Sequence, residues 1–236
     1  MSDVDLFEVE TAILARATRA LANGADEVAP YRVALEELVQ SYGRLVRESR
    51  RLIARSDRTE KELNQLNSRL KQLSDELDYK AKHDNLTGAL NRGAVFERAH
   101  HFLKNSTLSL IVLDIDFFKR INDEFGHPTG DAVIRELVQR LQRSLDGKGE
   151  IGRVGGEEFT VLLRDTSLDE AVTLAEKVRV TIAGETFSCL PSHSVTSSFG
   201  VSWSSAGSDF EEAYARADTA LYKAKHGGRN RVECEP

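Results

Sequence analysis

The sequence predicts an α/β domain behind an all-α stalk, and three observations predict it. Residues 109–113, Ser-Leu-Ile-Val-Leu, are a nearly continuous apolar run of strand length that ends in Asp114. A second apolar run, Thr160-Val161-Leu162-Leu163, follows the pair Gly155-Gly156 and the acids Glu157 and Glu158. That is the pattern of a hairpin whose glycines accept positive φ. Strands interrupted by helical stretches indicate an α/β layer. Upstream, leucines recur on a heptad, as in a coiled-coil stalk.

A chain of 236 residues with 40% hydrophobic side chains can build one large or two small domains. A formal net charge of −6 excludes a nucleic-acid binder by bulk charge. Cys189 and Cys234 are too few for a disulfide framework and read as one core and one tail thiol in a reducing compartment. The start, Met1-Ser2-Asp3-Val4-Asp5, lacks the basic and apolar parts of a signal peptide. No run approaches the roughly 18 apolar residues of a membrane span. The expectation is a soluble cytoplasmic protein, with no membrane segment and no nucleic-acid partner.

Residues 1–30 read as a short acidic N-terminal helix, with Leu6, Ile13, Leu14, Ala17 and Leu21 at helical spacing and Asn23-Gly24 as its stop. It is too small to fold alone, so it either folds back on the next helix or docks a partner. Pro30 opens the next element. Residues 31–83 read as one long helix. Leu35, Leu38, Tyr42 and Leu45, then Leu63, Leu66, Leu70, Leu73 and Leu77, share one heptad frame through Leu52. If straight, residues 35–83 span about 70 Å at 1.5 Å per residue.

The middle of that seam is poor. Ser49, Ser56 and Thr59 take core positions, and each replaced leucine forfeits about 1–3 kcal/mol of burial. Arg44, Arg47, Arg50, Arg51, Arg55, Arg58 and Lys61 crowd the same stretch against fewer acids. A solvated helix face explains them. The sharper reading is a pairing kept marginal so that a signal or partner can control it. Interleaved acids and missing aromatics argue against lipid or RNA as the target of the basic run.

Residues 84–236 form the α/β domain. Asp84 to Arg92 contains a helix entry with Asn91-Arg92 at its turn. Helix, strand, helix, helix, hairpin, helix, strand and helix follow. Val195 to Val201 reads as a strand, and Asp209 to Lys225 as a helix stopped by Gly227-Gly228. Asp114 sits where a central strand leaves the sheet, and a glycine bend bare of side chains beside two carboxylates suits a phosphorylated ligand and magnesium.

Together these stretches resemble the palm of nucleotide polymerases, and more specifically the GGDEF domain of diguanylate cyclases in its Gly-Gly-Glu-Glu-Phe form. Further matches fall in order: Asp84-Asn85-Leu86-Thr87 through Asn91-Arg92, Asn122-Asp123-Glu124-Phe125-Gly126-His127 with Gly130-Asp131, and Ala217-Asp218 through Tyr222 and Lys225 to Gly228-Arg229-Asn230. The resemblance covers residues 84–232 and implies a mixed sheet, palm-like, around the acidic hairpin. It implies that Asp114, the carbonyl of Ile115, Glu157 and Glu158 hold two magnesium ions per site, for which manganese can substitute. Asp116 matches no ligand of the family and reads as structural. Glu157 is the residue expected to help remove the 3′-hydroxyl proton of GTP, and Lys119 to meet charge developing on the phosphates. Asn122 and Asp131 match guanine readers: a carboxylate accepts from N1–H and N2–H, which adenine does not offer. His127, Gly155 and Gly156 are carried over as substrate contacts, and Lys225 and Arg229 as phosphate contacts. For Asp114 the alternative is a helix N-cap, for Lys119 a surface lysine, and for His127 a core histidine.

The implied activity is condensation of two GTP into cyclic di-GMP with release of two pyrophosphates. One site holds one GTP, so two copies must face each other, which gives the stalk its purpose as a homodimer seam. The alternative is a degenerate domain that binds GTP or product as a receptor or scaffold. The short stalk resembles cyclases of the SiaD type, whose helices engage an activating partner protein. One departure is plain: where many relatives have Arg-x-x-Asp for product inhibition, this chain has Asp146-Gly147-Lys148-Gly149. No product inhibition is expected there.

Overall fold

The computed structural model describes residues 8–22 and 28–235. The expected stop at Asn23-Gly24 lies outside them. The chain divides into two compact units, 1–74 and 75–236.

In the first unit, helix α1 (Glu8–Ala22) lies against helix α2, which runs unbroken over Val28–Lys82. Arg16 Nη1 donates to both carboxylate oxygens of Glu37 at 2.9 Å, and Ala34 and Ser41 are buried. Pro30 falls in the first turn of α2, where its missing N–H costs no intrahelical bond. Leu63, Leu66, Leu70, Leu73 and Leu77 are all exposed along α2, an apolar stripe that none of the described residues covers.

The second unit is a six-stranded mixed sheet in the order β1-β3-β4-β2-β5-β6. Its strands are β1 (Leu90–Asn91), β2 (Leu108–Ile115), β3 (Glu150–Arg153), β4 (Glu158–Arg164), β5 (Ser197–Ser204) and β6 (Val232–Glu235). β2 is antiparallel to both β4 and β5, while β1–β3 and β5–β6 are parallel. Every residue of β2 is buried, which explains its nearly continuous apolar run. The helices are α3 (Arg92–Leu103), α4 (Phe118–Phe125), α5 (His127–Leu145), α6 (Leu168–Gly184) and α7 (Phe210–His226). Asn91 caps α3 by accepting from Ala94 N, and Ser167 with Glu170 forms a capping box on α6.

Alternation along β2 sorts the two cores. Ile111, Leu113 and Ile115 join Phe118, Val133, Leu137 and Val178 beneath α4, α5 and α6. Leu108, Leu110 and Val112 join Val95, Ala99, Phe210 and Leu221 beneath α3 and α7. Asp114 continues the second series, so its carboxylate faces α7. On β5 the residues turned to α7 are small. A Cβ on Gly200 would lie 2.0 Å from Ala217 O, and Ser202 Oγ donates to Ala213 O at 2.8 Å. That close approach brings α7 down over the end of β2.

One expectation is corrected. The Gly155-Gly156 bend is not a two-residue turn in positive φ. Four residues, 154–157, join β3 to β4, and neither glycine has positive φ. What Gly155 supplies is room: a Cβ there would lie 2.5 Å from Glu158 Oε2. Strands β1 and β6, absent from the sequence reading, are edge strands too short to carry a periodic signal.

Candidate active site

The site is built where β2, β4 and α7 meet. Asp114 stands opposite Glu158 in the β2–β4 ladder, and Ile115 N donates to Glu157 O at 3.4 Å. Asp114 is only 5% exposed, and its counter-charge is Lys225 on α7, with Nζ 2.8 Å from Oδ2. Burial pushes the Asp114 carboxyl above its usual range; Lys225 opposes the shift, and Glu158 and Asp116 add to it. Glu157 is also raised, by burial first, then by Asp114 and Glu158, with Lys225 opposing. One lysine thus faces several mutually repelling acids, and the site is short of positive charge.

That imbalance is the test of metal fit. Among the described residues no three His, Cys, Asp or Glu side chains form a ready cage. Magnesium rarely needs one: it is held by one or two carboxylates plus waters and substrate phosphates. Asp114, Glu157 and Glu158 offer oxygen ligands of that kind, and a cation would relieve the repulsion that raises Asp114 and Glu157.

Asp116 does different work. Its Oδ1 accepts from Ser198 Oγ at 2.7 Å; its Oδ2 accepts from Thr196 Oγ1 at 2.7 Å and from Asn230 N at 3.1 Å. It laces the loop after β2 to the loop after α7, in keeping with its reading as structural. Asn122 on α4 lies against α5: a Cβ on Gly130 would sit 2.0 Å from its Oδ1, so glycine there lets Asn122 approach the residue before Asp131. Lys119 and His127 are exposed, in the first turns of α4 and α5. Arg229 is exposed in the loop after α7, its guanidinium carbon 4.4 Å from the centre of the Phe117 ring.

Three contributors were missed in the sequence. Arg153 donates through Nη2 to Gly156 O at 2.7 Å and through Nη1 to Asp84 Oδ1 at 3.1 Å. Its place just before the bend was the signal for a hairpin clamp. Helix α4 begins four residues after Asp114 with no side chain capping it, while Arg120 N already donates to Phe117 O at 2.9 Å. Phe117, at φ 56 in the left-handed region, gave no signal, because nothing in its neighbours calls for that turn.

Fold and site define a mixed α/β domain with paired carboxylates near the end of its central strand β2 and a glycine-lined bend beside them. The chain belongs to the GGDEF family: the family described as "Diguanylate cyclase, GGDEF domain" matches residues 81–231. Diguanylate cyclase DgcM of Escherichia coli K12 is 41% identical over 168 residues, which cover 69% of this chain and 40% of DgcM. The chain therefore spans less than half of that relative. The crystal structure of the coiled coil and GGDEF domain of DgcB from Caulobacter crescentus, in complex with c-di-GMP, is similar at TM-score 0.68 and 31% identity. It covers 78% of this chain and 99% of that one. Diguanylate cyclase SiaD of Pseudomonas aeruginosa, in complex with its activator SiaC, is similar at TM-score 0.60 and 28% identity, covering 97% of this chain and 98% of that one.

Proposed function

We propose that this chain is a diguanylate cyclase that joins two GTP molecules into cyclic di-GMP and releases two pyrophosphates. The observation that carries the reading is the carboxylate pair Asp114 and Glu158, in register across β2 and β4 beside Gly155, Gly156 and Glu157. In each bond-forming step a 3′-oxygen attacks the α-phosphorus of the facing GTP. The bond to the bridging oxygen breaks, and pyrophosphate leaves. Glu157, half-buried at the bend, takes the 3′-hydroxyl proton. Asp114, Glu158 and the Ile115 carbonyl, with Glu157, would hold two magnesium ions. Magnesium supplies charge neutralisation of the triphosphate and a lowered pKa at the 3′-hydroxyl.

The remaining residues bind and orient. Asn122 and Asp131 read the guanine edge, with His127 beside them. Lys119, Lys225 and Arg229 meet the phosphates, together with the open N-terminus of α4. Gly155 and Gly156 leave the bend bare for the nucleotide. Lys225, paired with Asp114 in the free protein, would be free to meet phosphate where a metal offsets the Asp114 charge.

Each site holds one nucleotide, so two copies act together, paired through the exposed leucines of α2. The N-terminal helices also offer a docking place. Ile13, Leu14, Leu38, Val39, Tyr42 and Leu45 help line an apolar groove of about 640 Å³ between α1 and α2. The likeness to SiaD, solved with its activator, supports reading that groove as the seat of an activating protein. Turnover is read by incubating the protein with GTP and magnesium and assaying cyclic di-GMP and pyrophosphate, with Asp114→Ala and Glu157→Ala as controls. Product in the wild type alone supports the cyclase. GTP binding without product, with and without an activator, supports a receptor instead.

A further inference from the structure

Two loops meet at the mouth of the site. The first follows β2 and carries Asp116 and Phe117. The second follows α7 and carries Arg229 and Asn230. They are joined by a polar rung, Asn230 N to Asp116 Oδ2 at 3.1 Å, and Asn230 is also held from α6 by Arg179 Nη1 at 3.1 Å. One residue along, a second rung joins them: the Arg229 guanidinium over the Phe117 ring, 4.4 Å from its centre.

This second rung is not explained by burial. Phe117 is 53% exposed, although it is a large aromatic. Its backbone is left-handed at φ 56, as are those of Arg229 at φ 63 and Asn230 at φ 43. Bulky residues adopt that conformation only where surrounding contacts over-determine it. Here the two loops turn Phe117 and Arg229 toward each other. Among the described residues no ion pair joins Arg229 to a carboxylate, and of the two guanidinium groups over the Phe117 ring it is the nearer, with Arg120 at 5.8 Å.

We propose that Phe117 is a positioning residue that holds Arg229 ready for the triphosphate. The inference rests on the reading of the site as a GTP site. A guanidinium stacked on an aromatic face keeps its N–H edges free, and those edges are what a phosphate engages in fork geometry. An arginine already held loses less side-chain freedom on binding than one sweeping through solvent. The Asp116–Asn230 rung fixes the loops, and the Phe117–Arg229 rung fixes the charge they carry. The effect belongs to binding, so it moves nucleotide affinity and KM while leaving kcat in place.

The test uses the full chain with magnesium and a non-reacting GTP analogue bearing a methylene bridge between the α and β phosphates. Affinities are measured by calorimetry, and thermal midpoints are recorded alongside. Phe117→Leu is expected to weaken binding about two- to five-fold, the range of a partly exposed cation–π contact. Phe117→Met, a second ring-free variant in case the first misfolds, shows the same loss. Phe117→Tyr, which keeps the ring, binds as the wild type does. In an Arg229→Gln background Phe117→Leu has no further effect. An undiminished affinity in Phe117→Leu, or an equal loss whether or not Arg229 is present, overturns the inference. A wild type that binds no analogue removes the GTP reading itself, and this inference with it.

Discussion

Arg153 spans from the carboxylate of Asp84, at 3.1 Å, to the carbonyl of Gly156, at 2.7 Å, so one guanidinium ties the turn that follows α2 to the tip of the acidic bend. Thr87 completes the arrangement, its N and Oγ1 donating to Asp84 Oδ1 at 3.0 and 2.7 Å. Burial disfavours ionisation of Asp84, but the hydrogen bonds from Thr87 and Arg153 outweigh it and hold the carboxyl below its ordinary 3.8. Asp84→Asn should therefore cost about 1–3 kcal/mol of stability near neutral pH. A group with a depressed pKa contributes fully above its unfolded value and loses that contribution as pH falls through the folded one. The gap between wild type and Asp84→Asn should hold down to about pH 4 and close below it, in thermal melts taken across pH.

The Lys225–Asp114 pair makes a prediction about metal. Lys225→Met leaves the acids without their counter-charge, so the metal-free protein should melt lower than wild type. Magnesium at ten times its dissociation constant adds about 1.4 kcal/mol to the wild type, and the added stability should be larger in the variant. Asp114 and Glu157 have raised pKa values, so without metal the stability linked to them is fullest below their ordinary 3.8 and 4.5 and is lost as pH rises through the raised values. Calorimetric scans in chelator and in magnesium, at pH 4 and pH 7, check both signs.

The proposed function gives guanine choice to Asn122 and Asp131. Asp131→Asn replaces a pure acceptor by a group that also donates toward N1–H. Selectivity for GTP over ATP should fall by on the order of 10²-fold or more in kcat/KM, while melting barely moves. Competition assays with both nucleotides provide the measurement.

The proposed pairing seam of α2 is interrupted at Ser49, Ser56 and Thr59, which are exposed on an unbroken helix. Replacing all three by leucine should raise the dimer fraction and the basal turnover together. Each buried leucine contributes about 1–3 kcal/mol to pairing. Sedimentation and product assays on the same preparation decide it, and unchanged values in both reject a control role for the weak centre.

Much of this was legible in the chain itself, for local reasons. Asp114 could be placed because a strand buried on both faces is a nearly continuous apolar run, and the acid that closes that run falls one residue before the strand ends at Ile115. The hairpin and its acids were legible because strands and turn residues alternate within a short span. The reason for the glycines was not: Gly155 is required by the Glu158 side chain folding back on it, which is a contact and not a backbone preference. Lys225 was legible as a cation on α7. Its contact with Asp114 depends on Gly200 and Ser202 letting that helix down onto the sheet, which is a tertiary fact. The same holds for Phe117, whose turn is imposed by two loops far apart in sequence, and for β1 and β6, whose pairing comes only from a sheet already formed.

The central claim is that two copies, each holding one GTP, must meet for chemistry to occur. Its most direct test is the rate of cyclic di-GMP formation as a function of protein concentration in saturating GTP and magnesium, with sedimentation run at each concentration. The account predicts a specific activity that rises with concentration in step with the dimer fraction and vanishes at high dilution. A specific activity that stays constant while the protein sediments as a monomer would contradict it.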